Sequence, residues 1–231
     1  MKKLIGFVAL AAVSGCVSPY VGTPYERSPA IHAIAVEQDA VPEKLSAWEV
    51  NSVGSNFGLI GALTDAAIQQ SRESAMSAAL HTVDFDAEAI FDQRLVEQLT
   101  QDGYSAQVLS GDNRQRRVFV TTYGGAPAGT DAYLDVVITN YGYISSGVGQ
   151  PWRPTAEATV RLVRASDSQT LMENQISYNS MYVRRGVITL TPNPDFVFPN
   201  REAMLADPQR LADGITDALN QVADTAAHLL H

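Results

Sequence analysis

The sequence predicts an α+β fold in which helices pack on a mostly antiparallel sheet. Three segments between residues 131 and 178 alternate apolar and polar side chains, as strands with one buried face do. Segments with apolar residues at helical spacing lie on either side, at 86–101 and from residue 207 towards the end of the chain. Consecutive strands joined by short turns pair antiparallel, which leaves the two helices to cover the sheet.

The first fifteen residues have the layout of a secretory signal peptide. Lys2 and Lys3 form a positive start, and an uncharged apolar run follows at 4–13. A membrane-spanning helix is the competing interpretation, but a span needs about 20 apolar residues and this run ends at Ser14. We therefore expect residues 1–15 to be removed on export.

The segment Val13-Ser14-Gly15-Cys16 resembles the lipobox, in which a cysteine receives diacylglycerol and becomes the first residue of the mature protein. Cys16 is the only cysteine in the sequence, so an intramolecular disulfide or a thiolate metal cluster is excluded. An incidental cysteine in an ordinary signal is the alternative. Lipidation of Cys16 would anchor the chain stably through two or more acyl chains. By resemblance to sorting in enteric bacteria, Val17 at the next position favours the outer membrane, with the chain facing the periplasm.

Residues 16–30 are expected to form a flexible, lipid-anchored tether. Pro19, Pro24 and Pro29 stand among Tyr, Gly, Thr and Ser, a composition that disfavours helix and sheet. Extended at roughly 3 Å per residue, its proline-containing part at 18–29 reaches about 35 Å from the bilayer. The remaining residues, 31–231, are enough for one domain with its own core.

The charge balance argues against a nucleic-acid partner. The chain has a net charge of −9, and removal of Lys2 and Lys3 with the signal makes it −11. The densest basic cluster, formed by Arg114, Arg116 and Arg117, is more typical of a solvated turn than of a phosphate-binding surface.

The first half of the predicted domain supplies two strands and a helix. Residues 31–36 are apolar on nearly both faces, which predicts a central strand. In 86–101 Asp86 can cap the first turn of the helix and Gly103 can end it. Residues 104–109 and 118–123 are each predicted to be strands, the second from its β-branched and aromatic content.

The second half supplies a long strand, a hairpin and the terminal helix. In 131–145 one face is expected to be core and the other wetter; the core face has Ala132, Leu134, Val136 and Ile138, and the wetter face has Tyr133, Asp135, Val137, Thr139, Tyr141 and Tyr143. Strands at 155–163 and 170–178 flank a Ser-Asp-Ser turn and predict a hairpin. Asp207 and Pro208 predict the start of the last helix, which carries one apolar stripe.

This order of elements resembles a family of periplasmic α/β domains that includes the amino-terminal domain of TolB, the CsgG-type secretion lipoprotein and the LpoB-type activator of penicillin-binding proteins. The likeness rests on residues 91–104, 131–141 and 158–163. In that family these segments form the helix that packs on the sheet, the strand that follows it and the central antiparallel strands. These motifs determine a fold, and no functional residue is carried over.

Residues 53–80 depart from that family as an apolar, glycine-containing insertion followed by a polar helix. Its apolar part is too short to cross a bilayer. Ordinary packing, an oligomer contact and a membrane contact all remain open for it. The candidate contact residues are Phe57, Leu59, Ile60 and Leu63.

The sequence holds no Gly-x-Ser-x-Gly, P-loop or HExxH motif, so neither a cofactor nor a metal nor a small-molecule substrate is expected. Asp84 and Asp86 could be paired carboxylates, but capping of the following helix explains them. His228 and His231 could share a helix face, with Asp224 as the closest carboxylate, although a fraying helix end is the simpler account.

Aromatic side chains gather in the sequence around the ends of the predicted central strands. If exposed, they would suit a partner surface, although sheet packing explains them equally well. These candidates are Tyr141, Tyr143, Trp152, Tyr178 and Tyr182.

The sequence as a whole favours a non-enzymatic accessory lipoprotein that binds another envelope protein in an assembly, secretion or transport complex. The alternative is a structural role, in which copies self-associate into a ring or channel through residues 53–80. A hydrolase is the third hypothesis.

Overall fold

A computed structural model describes residues 22, 24–25, 31–50, 58–109, 117–178, 181 and 183–231, with the backbone alone described at 58–64. The described part contains seven strands and four α-helices. The strands are β1 (Ala33–Val36), β2 (Ser46–Glu49), β3 (Ser105–Val108), β4 (Ala132–Ser145), β5 (Trp152–Arg164), β6 (Thr170–Tyr178) and β7 (Ile188–Leu190). The helices are α1 (Gly58–Leu80), α2 (Ala87–Gln101), α3 (Arg201–Leu205) and α4 (Pro208–His228), with short 3-10 turns at His81–Val83 and Pro194–Phe196.

The strands form one mixed sheet with the order β3-β1-β4-β5-β6-β7, and β2 pairs with the far end of β4. The α+β class is confirmed, whereas the antiparallel pattern holds only for the long central strands β4, β5 and β6. The pairs β1–β3, β1–β4, β2–β4 and β6–β7 are parallel. Parallel partners need a crossover connection, and the link from β1 to β3 contains both α1 and α2.

The predicted helices α2 and α4 are confirmed, and both lie on one face of the sheet. The Asp86 carboxylate accepts a hydrogen bond from the Ala89 amide at 3.0 Å, and Asp207 does the same for Arg210 at 3.1 Å. Gly103 follows α2 with a φ of +92°. The stripe on α4 is fully buried against β4, β5 and β6, and its apolar side chains include Leu211, Ile215, Leu219 and Val222.

A β-bulge in β4 changes which side chains face the helices. The pairing of β4 with β5 shifts register between Ile138 and Asn140, because an extra residue is inserted there. Beyond this point the odd-numbered Tyr141 and Tyr143 join the core on the helix side. The expectation that these two tyrosines share the wetter face of the strand is therefore wrong.

The face of the sheet opposite the helices is also buried at its centre. Tyr133, Asp135 and Val137 are 8%, 0% and 1% exposed, so this face is not the wetter one that alternation predicted. Residues 117–127, which we call the strap, lie over it. The predicted strand at 118–123 is part of this strap and pairs with none of the described strands; Tyr123 packs against this face of the sheet, whereas Val118 is 46% exposed.

Within the segment predicted as an insertion, Gly58–Leu80 form the helix α1. Phe57 lies outside the described residues, and for Leu59, Ile60 and Leu63 only the helical backbone is described. The second half of α1 packs on the body, where Met76 and Leu80 are buried. None of the helices in the described ranges combines the length and apolar character needed to span a bilayer.

Part of the predicted tether contacts the body. The Tyr25 side chain is half-buried and packs against the core on the helix side of the sheet. Gly22 lies so close to Asn174 of β6 that a Cβ atom would overlap the amide oxygen of that side chain. At these two positions the segment predicted as a tether lies against the body of the protein.

Candidate functional site

The candidate site is a groove between the loop at residues 41–45, the second half of α1 and the start of α2. Two adjoining cavities of about 320 and 360 Å³ form this groove. They share Glu43, Leu45, Ser77 and His81, so the groove is continuous along the helix.

The loop side of the groove is held by the first turn of α2. Both carboxylate oxygens of Glu88 are used there, one accepting from the Ala40 amide at 2.8 Å and the other from the Val41 amide at 2.9 Å. A carboxylate that accepts two backbone hydrogen bonds fixes the path of the loop more firmly than a neutral acceptor would. The loop therefore stays apart from α1, and the space between them remains open.

The floor of the groove is apolar and its walls are acidic. Leu45, Leu80, Ala87 and Tyr141 are each less than a tenth exposed and form the floor together with Val41. The described lining residues with a carboxylate are Glu43, Glu73, Asp86 and Glu88, against a single lysine, Lys44. A surface of this kind attracts a ligand that combines apolar and cationic groups.

The described side chains do not form a metal centre in the groove or elsewhere. Across the ranges that the structure describes, no group of three or more His, Cys, Asp or Glu side chains is placed to hold an ion. The paired carboxylates considered from the sequence also have a structural use. Asp86 caps α2, and Asp84 ends the 3-10 turn before it with a φ of 49°.

Four of the five aromatic residues predicted to form an exposed partner surface are buried. Tyr141, Tyr143, Trp152 and Tyr178 are 5%, 0%, 5% and 2% exposed, so the prediction is wrong for them. The fifth, Tyr182, lies outside the described residues. Of this set, Tyr141 lines the groove.

The buried tyrosine hydroxyls connect the sheet to α4 and to the loop before it. The Tyr143 hydroxyl donates to the Phe196 carbonyl at 3.1 Å. The Tyr178 hydroxyl donates to the Asp217 carboxylate and accepts from the Asn193 amide at 2.7 Å. Burial, and then the hydrogen bond to Asp217, raise the pKa of Tyr178, so it is a neutral donor at physiological pH.

A second polar cluster lies under the strap on the opposite face. Asp135 accepts from the Val120 amide at 2.9 Å and from the Tyr123 hydroxyl at 3.1 Å. The Arg161 guanidinium lies 3.9 Å from the centre of the Phe119 ring and bonds to Glu173 at 2.9 and 3.0 Å. Each of these groups holds the strap or pairs neighbouring strands, so the cluster has a structural role.

Of the two histidines considered from the sequence, His231 meets a different carboxylate from the expected one, and His228 lies beside the Gln98 amide. His231 lies 3.2 Å from Asp102, whereas Asp224 is bound by Arg94 through two contacts of 2.6 and 2.8 Å. Of the basic cluster considered from the sequence, Arg117 is exposed at a turn, and Arg114 and Arg116 lie outside the described residues.

Sequence reasoning did not find the groove, because its two walls come from segments about 30 residues apart. The available signal was Glu88, a carboxylate in the first turn of a helix that has a separate N-cap residue. That this carboxylate accepts hydrogen bonds from the loop at 41–45 can be recognised only once the fold brings the loop and α2 together.

Comparisons with known proteins give weak structural similarities only. No family model and no curated protein matches the chain. Protein XCC0632 from Xanthomonas campestris has a TM-score of 0.41 and 11% identity, over 90% of both chains. A PelC dodecamer from Paraburkholderia phytofirmans has a TM-score of 0.32 and 11% identity, over 89% of this chain and 94% of that one. Protein CT253 from Chlamydia trachomatis has a TM-score of 0.21 and 13% identity, over 84% and 99%.

With TM-scores below 0.5, these similarities assign neither a family nor a function. The chain is an α+β protein with a mixed sheet, helices on one face and a strap on the other. The resemblance to the TolB, CsgG and LpoB domains stays a prediction from the sequence.

Proposed function

We propose that this chain is a lipoprotein, anchored through Cys16 to the periplasmic side of the outer membrane, that binds another envelope protein and catalyses no reaction. The lipobox Val13-Ser14-Gly15-Cys16 supports the anchoring. The groove between the loop at 41–45 and the helices supports the binding role, and it is the observation that carries the proposal.

The partner segment that fits the groove has apolar side chains flanked by lysine or arginine. The apolar floor would bury the first kind of side chain, and Glu43 and Glu73 on the walls would pair with the second. Glu73 is half-buried and receives a hydrogen bond from Gln69 at 2.9 Å, so its carboxylate is held in place on the α1 wall.

Site-specific crosslinking in intact cells tests this proposal. A photo-reactive amino acid at Ser77, in the wall common to both cavities, is expected to form an adduct with an envelope protein. The crosslinked peptide should contain basic and apolar residues. Glu73→Lys should lower the adduct yield at least about fivefold, since it replaces attraction by repulsion.

Glu97→Lys is the matched control, because it makes the same charge change on the exposed face of α2 away from the groove. Equal adduct yields in Glu73→Lys and in the native chain would contradict the groove as the binding site. Mass spectrometry of the native protein checks the anchor, since a mature chain without fatty acyl mass on Cys16 contradicts it.

The second candidate function is a ring or channel component that assembles through α1. The exposed face of its middle turns supports this alternative, since Ala66 and Ala67 are exposed and Ile68 is 42% exposed. Light scattering of the lipoprotein in detergent separates the two roles. A monomer at micromolar concentration counts against the ring, and an adduct from Ser77 to a second copy of the chain counts for it.

A further inference from the structure

Large apolar side chains are exposed around one end of the sheet. Trp48 is 49% exposed near the end of β2, and Val148 is 66% exposed in the loop between β4 and β5. These positions are adjacent, since Glu49 pairs with Ser145 and Ser145 pairs with Trp152. Val183 is 76% exposed in the connection that leaves β6 towards the same end. We call this region the apolar end.

The first half of α1 projects past the apolar end. Arg72, in the middle of the helix, bonds to Glu49 and lies 5.9 Å from the ring centre of Trp152, so it marks the level at which the sheet ends. Leu80, at the end of α1, lies further from the apolar end, in the groove beside Tyr141. The turns before Arg72 therefore extend beyond the sheet, and they carry the exposed Ile68.

Arginines accompany these apolar side chains. Arg185 is exposed two residues after Val183, and Arg153 is half-buried on the second residue of β5. Arg184 is half-exposed and lies 3.3 Å from Glu157. In a chain with a net charge of −9, apolar and arginine side chains at one end form the combination that binds an interface of acyl chains and anionic headgroups.

The turn between β5 and β6, at the opposite end of the sheet, is polar. It consists of exposed residues, which are Ser166, Asp167, Ser168 and Gln169. This turn offers no apolar side chain to a membrane, and Asp167 carries a negative charge that anionic lipids would repel.

The length of chain before Gly22 restricts how far the body can lie from the bilayer. Gly22 lies against Asn174 of β6 and Tyr25 against the core, so the chain is attached to the body there. Five residues lie between Cys16 and Gly22, so six residue-to-residue steps of about 3.6 Å span at most about 22 Å. Asn174 pairs with Val160, eight residues or about 26 Å along β5 from Trp152 at the apolar end, so the acyl chains reach that level when this segment is extended and the glyceryl linkage of the lipid adds to its span.

We infer that the apolar end, with Trp48, Ile68, Val148 and Val183, rests on the bilayer that holds the acyl chains of Cys16, with Arg153 and Arg185 beside the lipid phosphates. This inference rests on the lipid anchor of the proposed function. It adds an orientation, in which the turn at 165–169 points away from the membrane.

Fluorescence on the full-length lipidated protein tests the orientation. Because an acylated Cys16 leaves no thiol, one introduced cysteine can be labelled alone with an environment-sensitive NBD dye. Val148→Cys and Val183→Cys report on the apolar end, and Ser166→Cys on the polar turn; all three positions are exposed, so folding is preserved. The protein is reconstituted in phosphatidylethanolamine and phosphatidylglycerol vesicles with nitroxide-labelled acyl chains.

At one protein per several thousand lipids, labels at 148 and 183 should emit at shorter wavelength and be quenched by the nitroxide at least threefold more than the label at 166. Equal quenching at the three positions overturns the orientation. A blue shift that grows with protein density without lipid quenching assigns the apolar end to a second copy and overturns it too. Absence of acyl mass on Cys16 refutes the anchor itself, so the two failures are distinguishable.

Discussion

Asp131 links two parallel strands through a single side chain. One of its carboxylate oxygens accepts hydrogen bonds from the His32 amide at 2.7 Å and the Ala33 amide at 2.9 Å, which joins the start of β1 to the start of β4. These two bonds hold the pKa of Asp131 below its usual value of 3.8. The charged form is therefore the one that stabilises the folded state.

This pKa shift predicts a pH dependence of stability. Because the folded pKa is depressed, the contribution is fully present above the unfolded pKa near 3.8 and is lost as pH falls through the lower, folded value. Asp131→Asn should unfold at lower urea concentration than the native chain at pH 7. The difference between the two should shrink on acidification below about pH 4. A difference that is unchanged in acid would contradict the role of the charge.

Gly214 is a position on α4 where the helix backbone lies close to the sheet. A Cβ atom there would overlap the Tyr143 hydroxyl and crowd the Phe196 ring. Gly214→Ala should therefore destabilise the fold by about 1–3 kcal/mol, although alanine favours helix. Urea unfolding measures this, and Gly124→Ala, where no heavy atom lies within 4 Å of the added methyl, is the control. Equal stability losses in the two variants would show that the contact is not responsible.

At the scale of elements, α2 and α4 are joined by the pair Arg94 and Asp224. The guanidinium binds both carboxylate oxygens, and the side chains are 33% and 21% exposed. A two-point pair with partial burial is stronger than an exposed one, so a double-mutant cycle of Arg94→Gln and Asp224→Asn should give a coupling of about 1 kcal/mol. The exposed pair Gln93 and Glu97 on α2 should couple by less than about 0.5 kcal/mol. A coupling energy for Arg94 and Asp224 as small as that for Gln93 and Glu97 would show that the ion pair does not join the two helices.

Elements with local signals could be predicted from the sequence. Asp86 and Gly103 bound α2, Asp207 and Pro208 start α4, and the turn at 165–169 sets the hairpin of β5 and β6. In each case the residues that end the element lie next to it in sequence.

The remaining elements depend on distant partners. β2 is a four-residue strand that contains Trp48 and Glu49, and only its pairing with the end of β4 makes it a strand. The strap has the composition of a strand because burial favours the same residues. The bulge between Ile138 and Asn140 leaves no signal in the alternation of apolar and polar residues along β4. The side of the sheet on which the following tyrosines lie could therefore not be predicted.

At the scale of the whole molecule, the sequence contains a contiguous signal for the proposed anchor and no comparable signal for the groove. The lipobox is a contiguous signal around Cys16, whereas the groove needs α1, α2 and the loop at 41–45 brought together. The aromatic residues chosen from the sequence turned out to be the core, because large apolar side chains near strand ends serve packing first.

The attachment of Tyr25 to the core predicts protection from proteolysis. Trypsin can cleave after Arg27, two residues further on, once this part of the chain opens. Tyr25→Ser removes the half-buried ring, which should lower the opening free energy by about 1 kcal/mol and speed this cleavage roughly fivefold. Mass spectrometry detects the fragment that begins at Ser28, and Tyr25→Phe is the control. Equal cleavage rates in the native chain and Tyr25→Ser would mean that the ring contributes nothing to the attachment.

The attachment of Gly22 and Tyr25 to the body also changes the affinity that the groove needs in order to hold its proposed partner. With the proposed lipid on Cys16, only residues 17–21 would separate the anchor from Gly22, so the body would explore a thin layer above the membrane, and a partner in the same membrane would explore that layer too. The effective concentration of one for the other then reaches about the millimolar range. A groove whose dissociation constant in free solution is tens of micromolar would be mostly occupied on the membrane and mostly empty off it.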